Sequence, residues 1–258
     1  MMTNFTIEQN IEKLADLETI DRETFLSNED FNQEFCDLIL ALSMIWNDYK
    51  TLMLFHEHIG AIISGKDAFD KPEEMPEEAV WGERSGIRVY VEKSLLALVY
   101  EFFALLRKSE DIITSQSFGS LLKKMHPKYQ KEWKLMVRYA SQGGTSKTPL
   151  GKALIMTRNK IVNHYDKREM MKGYKRKFFE QDFKPLMSAG KSMNRTRFYF
   201  ADAAAQEYYH SHVECIGEDK FFENLNIILG SINTTINSLV QIYIRTRSKQ
   251  KPVAEESG

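Results

Sequence analysis

Helix breakers are scarce in this 258-residue chain, which holds only 13 glycines and 6 prolines. Alternating Val and Thr runs are scarce too, and that combination argues against a β-sandwich or barrel and for helices. Two cysteines, Cys36 and Cys215, are too few for a disulfide framework or a four-cysteine zinc site. Free thiols fit a reducing compartment. Long apolar runs are also lacking: the greasiest, 95–106, is interrupted by Glu101 and falls short of the ~20 residues a membrane span requires. The first ten residues are polar and carry no signal-peptide core. These absences predict a cytoplasmic protein without a membrane segment.

What is present is charge, unevenly placed. The formal net charge is −1, yet residues 1–83 hold 5 Lys and Arg against 19 Asp and Glu. Residues 120–197 reverse the balance, with 20 basic and 5 acidic side chains. Such asymmetry predicts either a basic surface for a polyanion or mutual attraction between two halves of one domain.

Apolar residues at helical spacing (Phe31, Phe35, Leu38, Leu42, Ile45 and onward) predict a long helix over about 30–64. A loop over 65–86 follows, with Pro72 and Pro76, then a second helix over 86–108 and a third over 117–141 broken near Pro127. Thr148 as N-cap with Pro149 after it starts a fourth helix running toward Gly173. Residues 172–217 read as irregular apart from a helix over 202–214, and a final helix spans 219–246. The predicted class is all-α: a helical bundle with four or five long helices and an irregular basic insertion. The expected organisation is an acidic lead-in over 1–29, one bundle domain over 30–247 and a disordered tail over 248–258.

The fourth helix carries the string Arg158-Asn159-Lys160-Ile161-Val162-Asn163-His164-Tyr165-Asp166. At 100° per residue Leu154, Ile155, Ile161, Val162 and Tyr165 project within roughly 60° of Arg158. A guanidinium in the centre of an apolar stripe needs an anion, because a buried arginine without a partner is costly. Two partners meet that need. One is a carboxylate, for which Glu101 inside the apolar second helix is the candidate; the other is a substrate phosphate.

An Arg followed by a polar residue, with a His four to six positions on, resembles the HEPN superfamily. The Arg158-Asn159-Lys160 start and the His164-x-Asp166 ending look most like its abortive-infection and toxin-type branches. The bundle extends the resemblance to about residues 30–170. It implies a metal-independent endoribonuclease without a cofactor, in a defence or toxin-like role, acting on RNA as a homodimer with an antitoxin or regulatory protein as partner. By the resemblance Arg158 grips phosphate, His164 transfers protons and Asn159 supports them. Lys160, Lys167 and Arg168 would contact substrate, with Tyr165, Asp166 and Glu101 in supporting places.

Elementary chemistry agrees with those types. Histidine exchanges a proton near neutral pH, and arginine grips phosphate oxygens through paired hydrogen bonds. On a straight helix, however, His164 lies about 9 Å along and roughly 120° around from Arg158. Convergence then requires a second subunit or a distorted helix. Lys172, Lys175, Arg176 and Lys177, interleaved with Tyr174 and Phe178, extend the basic run, where cations meet phosphates and rings stack bases. The alternative is a non-catalytic helical RNA- or protein-binding module in which Arg158 makes a structural ion pair. No metal is expected: Glu207-x-x-His210 is half of a di-iron pattern without its partner pair, and the 144–152 loop lacks phosphate-loop spacing.

Overall fold

The computed structural model describes residues 19–63, 77–143, 151, 154–155, 167–189, 196–214 and 218–249. The described residues are overwhelmingly helical, as the scarcity of breakers predicts. In chain order they form α1 (Gln33–Ile63), α2 (Glu77–Lys108), α3 (Glu110–Ile113), α4 (Gln116–Lys123) and α5 (Pro127–Gly143). Then come α6 (Lys167–Lys175), which passes directly into a π-turn over Arg176–Glu180, α7 (Tyr199–Glu214) and α8 (Glu218–Lys249). Ser188–Ala189 (β1) pairs antiparallel with Thr196–Arg197 (β2), in the register Ser188 opposite Arg197.

Local chemistry accounts for the ends. Asn32 caps α1 by accepting the Phe35 N–H at 2.9 Å, and Ser115 caps α4 by accepting the Phe118 N–H at 3.2 Å. Pro127 opens α5, where its missing N–H costs nothing, so the helix read over 117–141 is two helices. Two expectations are corrected. The stretch read as a loop to Gly86 is helical from Glu77, and the stretch read as irregular from Lys172 is helical to Glu180. Gly86 is a packing glycine instead of a breaker: a β-carbon there would collide with the Arg197 guanidinium and the Asp202 carboxylate.

The chain divides into two compact units, each assembled from discontinuous stretches. One comprises 3–50, 102–141 and 226–258. Its described core holds Phe35, Ile39, Leu42, Phe102, Phe118, Trp133, Met136, Ile232, Ile236 and Leu239, all buried. The segment 19–32 is tied to that core, with Thr24 and Phe31 buried. Tyr243 is fully buried; its hydroxyl donates to the Thr24 carbonyl at 2.6 Å and lies 3.2 Å from the Cys36 sulfur. Arg247 donates to the carbonyls of Glu23, Thr24 and Leu26 at 3.0–3.1 Å. The Phe25 and Phe31 rings pack against Tyr243 at 5.8 and 5.4 Å. Thus part of the acidic lead-in is anchored structure.

The other unit comprises the described residues within 51–101 and 142–225. Val89, Leu95, Leu96, Val99, Leu154, Ala204, Ala205 and Tyr208 are its buried residues of most consequence. Here α6 and α7 come so close that a β-carbon on Gly173 would strike the Ala204 carbonyl.

Two helical stretches, Gln33–Glu57 and Glu223–Ser248, are long and apolar enough to cross a membrane by length and composition. The sequence expectation of no such stretch is corrected to that extent. Each also supplies core residues, Ile39 and Leu42 from the first and Ile232, Ile236 and Leu239 from the second.

Candidate functional site

Of the residues singled out by sequence, Arg158, Asn159, Lys160, His164, Tyr165 and Asp166 lie outside the described residues. The structure does describe what flanks them. Upstream, Leu154 is helical and buried and Ile155 half-buried, an inward start to the stripe. Downstream, Lys167 and Arg168 open α6 and are both exposed, where a phosphate can reach them.

Glu101 is corrected as a buried carboxylate. Its neighbours Val99, Phe102 and Phe103 are buried, but Glu101 itself faces outward. A single 100° step separates it from Phe102, enough to turn a side chain off the apolar face.

Among the described residues, the buried carboxylate of this unit is Glu207, set on α7 among Ala204, Ala205 and Tyr208. Arg176 Nε reaches it at 2.9 Å, Lys177 Nζ at 3.8 Å, and Gln181 Nε2 donates to it at 3.0 Å. Two cations thus neutralise an anion that burial would otherwise penalise. The basic run therefore divides. Arg176 and Lys177 point into the protein and hold α7, whereas Lys167, Arg168, Lys172 and Lys175 face solvent. The signal for Glu207 in the sequence is faint: it is the acid that follows Ala203-Ala204-Ala205 on a helix that also carries Asp202 and Glu214.

The rings of this region also separate by role. Tyr174 packs on Phe178 at 4.7 Å, on Phe179 at 6.3 Å and on Phe200 at 6.4 Å, and Phe200 meets Phe198 at 5.9 Å. In an α-helix a residue five positions on lies about 140° around. The π-turn, closed by Gln181 N–H to Arg176 carbonyl at 3.2 Å, returns Phe179 toward the Tyr174 side. Asp182 then adopts a left-handed φ of 55°, as short polar side chains tolerate, and the chain reverses. That reversal sets Phe183 under the Lys177 ammonium, 4.0 Å from its ring centroid.

A second charged cluster lies beside Gly86. Arg197 Nε meets Asp202 Oδ2 at 3.0 Å, and half-buried Lys93 faces the same carboxylate. Burial lowers the Lys93 pKa below the ordinary lysine value, and attraction to Asp202 opposes the shift.

Among the described residues no three His, Cys, Asp or Glu side chains converge as a metal site. Glu207 faces Arg176 and Lys177, and His210 lies 3.5 Å from Gln206 Nε2. Comparisons with protein-family models, curated proteins and solved structures find no match for this chain.

Proposed function

We propose that the chain is a metal-independent endoribonuclease of the HEPN type, serving defence or acting as a toxin and working as a homodimer. The observation that carries this reading is the string Arg158-Asn159-Lys160 with Asn163-His164-Tyr165-Asp166. Its support is the all-α architecture and the solvent-facing cations that follow immediately, Lys167, Arg168, Lys172 and Lys175.

In this reading His164 takes the 2′-hydroxyl proton as that oxygen attacks the adjacent phosphorus. Arg158 grips the non-bridging oxygens, which gain charge as the 2′-oxygen adds to phosphorus, before the P–O5′ bond breaks. The products are a 2′,3′-cyclic phosphate and a 5′-hydroxyl end, with a proton returned to the departing oxygen. Asn159 supports the pair. The roughly 120° offset between Arg158 and His164 on a straight helix gives the second subunit its purpose, because two copies facing one cleft bring Arg158 of one near His164 of the other. An antitoxin or regulatory protein would act by covering that cleft.

The test is cleavage of RNA by the purified full chain in EDTA. Wild-type protein should cut, and His164→Ala should cut about 10²–10⁴-fold more slowly, the usual contribution of a positioned acid–base group. Full activity in His164→Ala, or loss of wild-type activity on chelation, would sink the mechanism. Wild-type protein that binds RNA without cutting it would instead favour the non-catalytic binding module.

A further inference from the structure

The aromatic row between α6 and α7 is costly to leave in water, and its purpose is not explained by packing. Phe179 is 76% exposed, Phe198 53% and Phe183 50%. Tyr174 and Phe200, both half-buried, join Phe179 to Phe198 through ring contacts of 5.9–6.4 Å. Single exposed apolar residues are ordinary on protein surfaces, but a continuous row of rings marks a binding surface.

Charge identifies the occupant. Residues 167–198 hold ten Lys and Arg against three Asp and Glu. Arg176, Lys177 and Arg197 are committed to Glu207 and Asp202, while Lys167, Lys175 and Lys184 remain exposed beside the rings in the chain. Lysine is depleted at the centre of protein–protein contacts, so rings interleaved with lysines fit a partner that is both flat and anionic. Single-stranded nucleic acid has those properties: every base offers a π-face and every linkage a phosphate. A duplex does not, since its base faces are already stacked on one another.

We infer that Tyr174, Phe179, Phe183, Phe198 and Phe200 form a stacking platform for single-stranded RNA, with Lys167, Lys175 and Lys184 holding its phosphates. The inference rests on the ribonuclease reading only for the choice of RNA over DNA. The fold supplies the preorganisation. The π-turn brings Phe179 over Tyr174, Glu207 fixes Lys177, and Lys177 in turn steadies Phe183 from one side. In the chain, Lys167 and Tyr174 follow the Arg158–Asp166 string.

The experiment measures anisotropy of a fluorescein-labelled 12-nucleotide single-stranded RNA, and of the same strand in a duplex. The protein is the full chain carrying His164→Ala, so that the probe stays intact. Adding Phe179→Ala with Phe198→Ala should weaken single-strand binding by about tenfold or more, from the stacking lost at each ring. Duplex affinity should be weaker than single-strand affinity and unmoved by the change. Lys167→Ala with Lys175→Ala should flatten the salt dependence by about one to two units of slope. Thermal melts should be unchanged, because the rings removed are exposed; Phe179→Trp should restore binding. Unchanged single-strand affinity in the double Phe variant would overturn the platform. So would equal binding of duplex and single strand, or a change in oligomer mass without a change in RNA affinity. The two readings fail separately. If the Phe variants lose binding while cleavage survives His164→Ala, the platform stands and the catalytic assignment falls. If His164→Ala abolishes cleavage while the Phe variants bind normally, the platform falls alone.

Discussion

At the scale of single residues, the outcome turns on which charges are spent inside the protein. Arg176 and Lys177 belong to one run with Lys172 and Lys175, and nothing in that run says which will turn inward. Glu207 decides it, by offering a buried carboxylate that two cations and Gln181 satisfy. Lys93 has less compensation. Its pKa is lowered by burial, with Asp202 opposing. Between that lowered value and the ordinary 10.5 the unfolded chain holds a proton that the folded chain lacks, so this group makes stability rise with pH across the window. Lys93→Met should therefore be more stable than wild type at pH 7, with the advantage shrinking as pH climbs toward 10.5. Urea unfolding of both proteins over that range measures it; a constant difference, or a less stable variant at pH 7, would contradict the burial cost assigned to Lys93. Tyr243, pushed upward chiefly by burial and also by its Cys36 contact, titrates in both proteins and cancels from the comparison.

At the scale of elements, glycine separates packing from propensity. Gly173 lets α6 approach α7, and a β-carbon there meets the Ala204 carbonyl, a backbone atom that cannot swing aside. Gly173→Ala should destabilise by about 1–3 kcal/mol, the usual cost of overpacking. At Gly119 in α4 and Gly230 in α8, an added β-carbon would meet nothing within 4 Å. Alanine at either should instead stabilise by about 0.5–1 kcal/mol through helix propensity. Melting temperatures should accordingly move in opposite directions, by about 2–4 °C per kcal/mol. A rise for Gly173→Ala would show that α6 and α7 can separate freely.

At the scale of the whole molecule, distant parts of the chain close one unit. Thr24 and Tyr243, 219 residues apart, share a 2.6 Å hydrogen bond, and Arg247 grips three carbonyls of the same segment. An acidic lead-in that merely shielded a basic site would make no such contacts with Tyr243 and Arg247. Deleting 1–29 removes Thr24, Phe25 and Leu26 from Tyr243, Cys36 and Arg247, and should cost about 2–4 kcal/mol in burial and hydrogen bonds. Denaturant titration checks that figure, and unchanged stability would refute the anchoring role. Deleting 1–18 keeps these contacts and is the clean test of inhibition: if the segment covers the site, RNA cleavage should rise.

The amino-acid sequence by itself determined the helical class, the break at Pro127 and the Arg158–Asp166 string. Each depends on neighbours within a turn or two, where spacing and capping chemistry act. Only the tertiary structure decided that Glu101 faces out and Glu207 in, that Gly86 is a packing glycine, and that residues 19–32 are anchored. It also divided the cations between an internal pair and an exposed face, and aligned Phe179 with Phe198. Those outcomes depend on partners far away in the chain, and the free energy of burying a charge or seating a ring is set by what arrives opposite it.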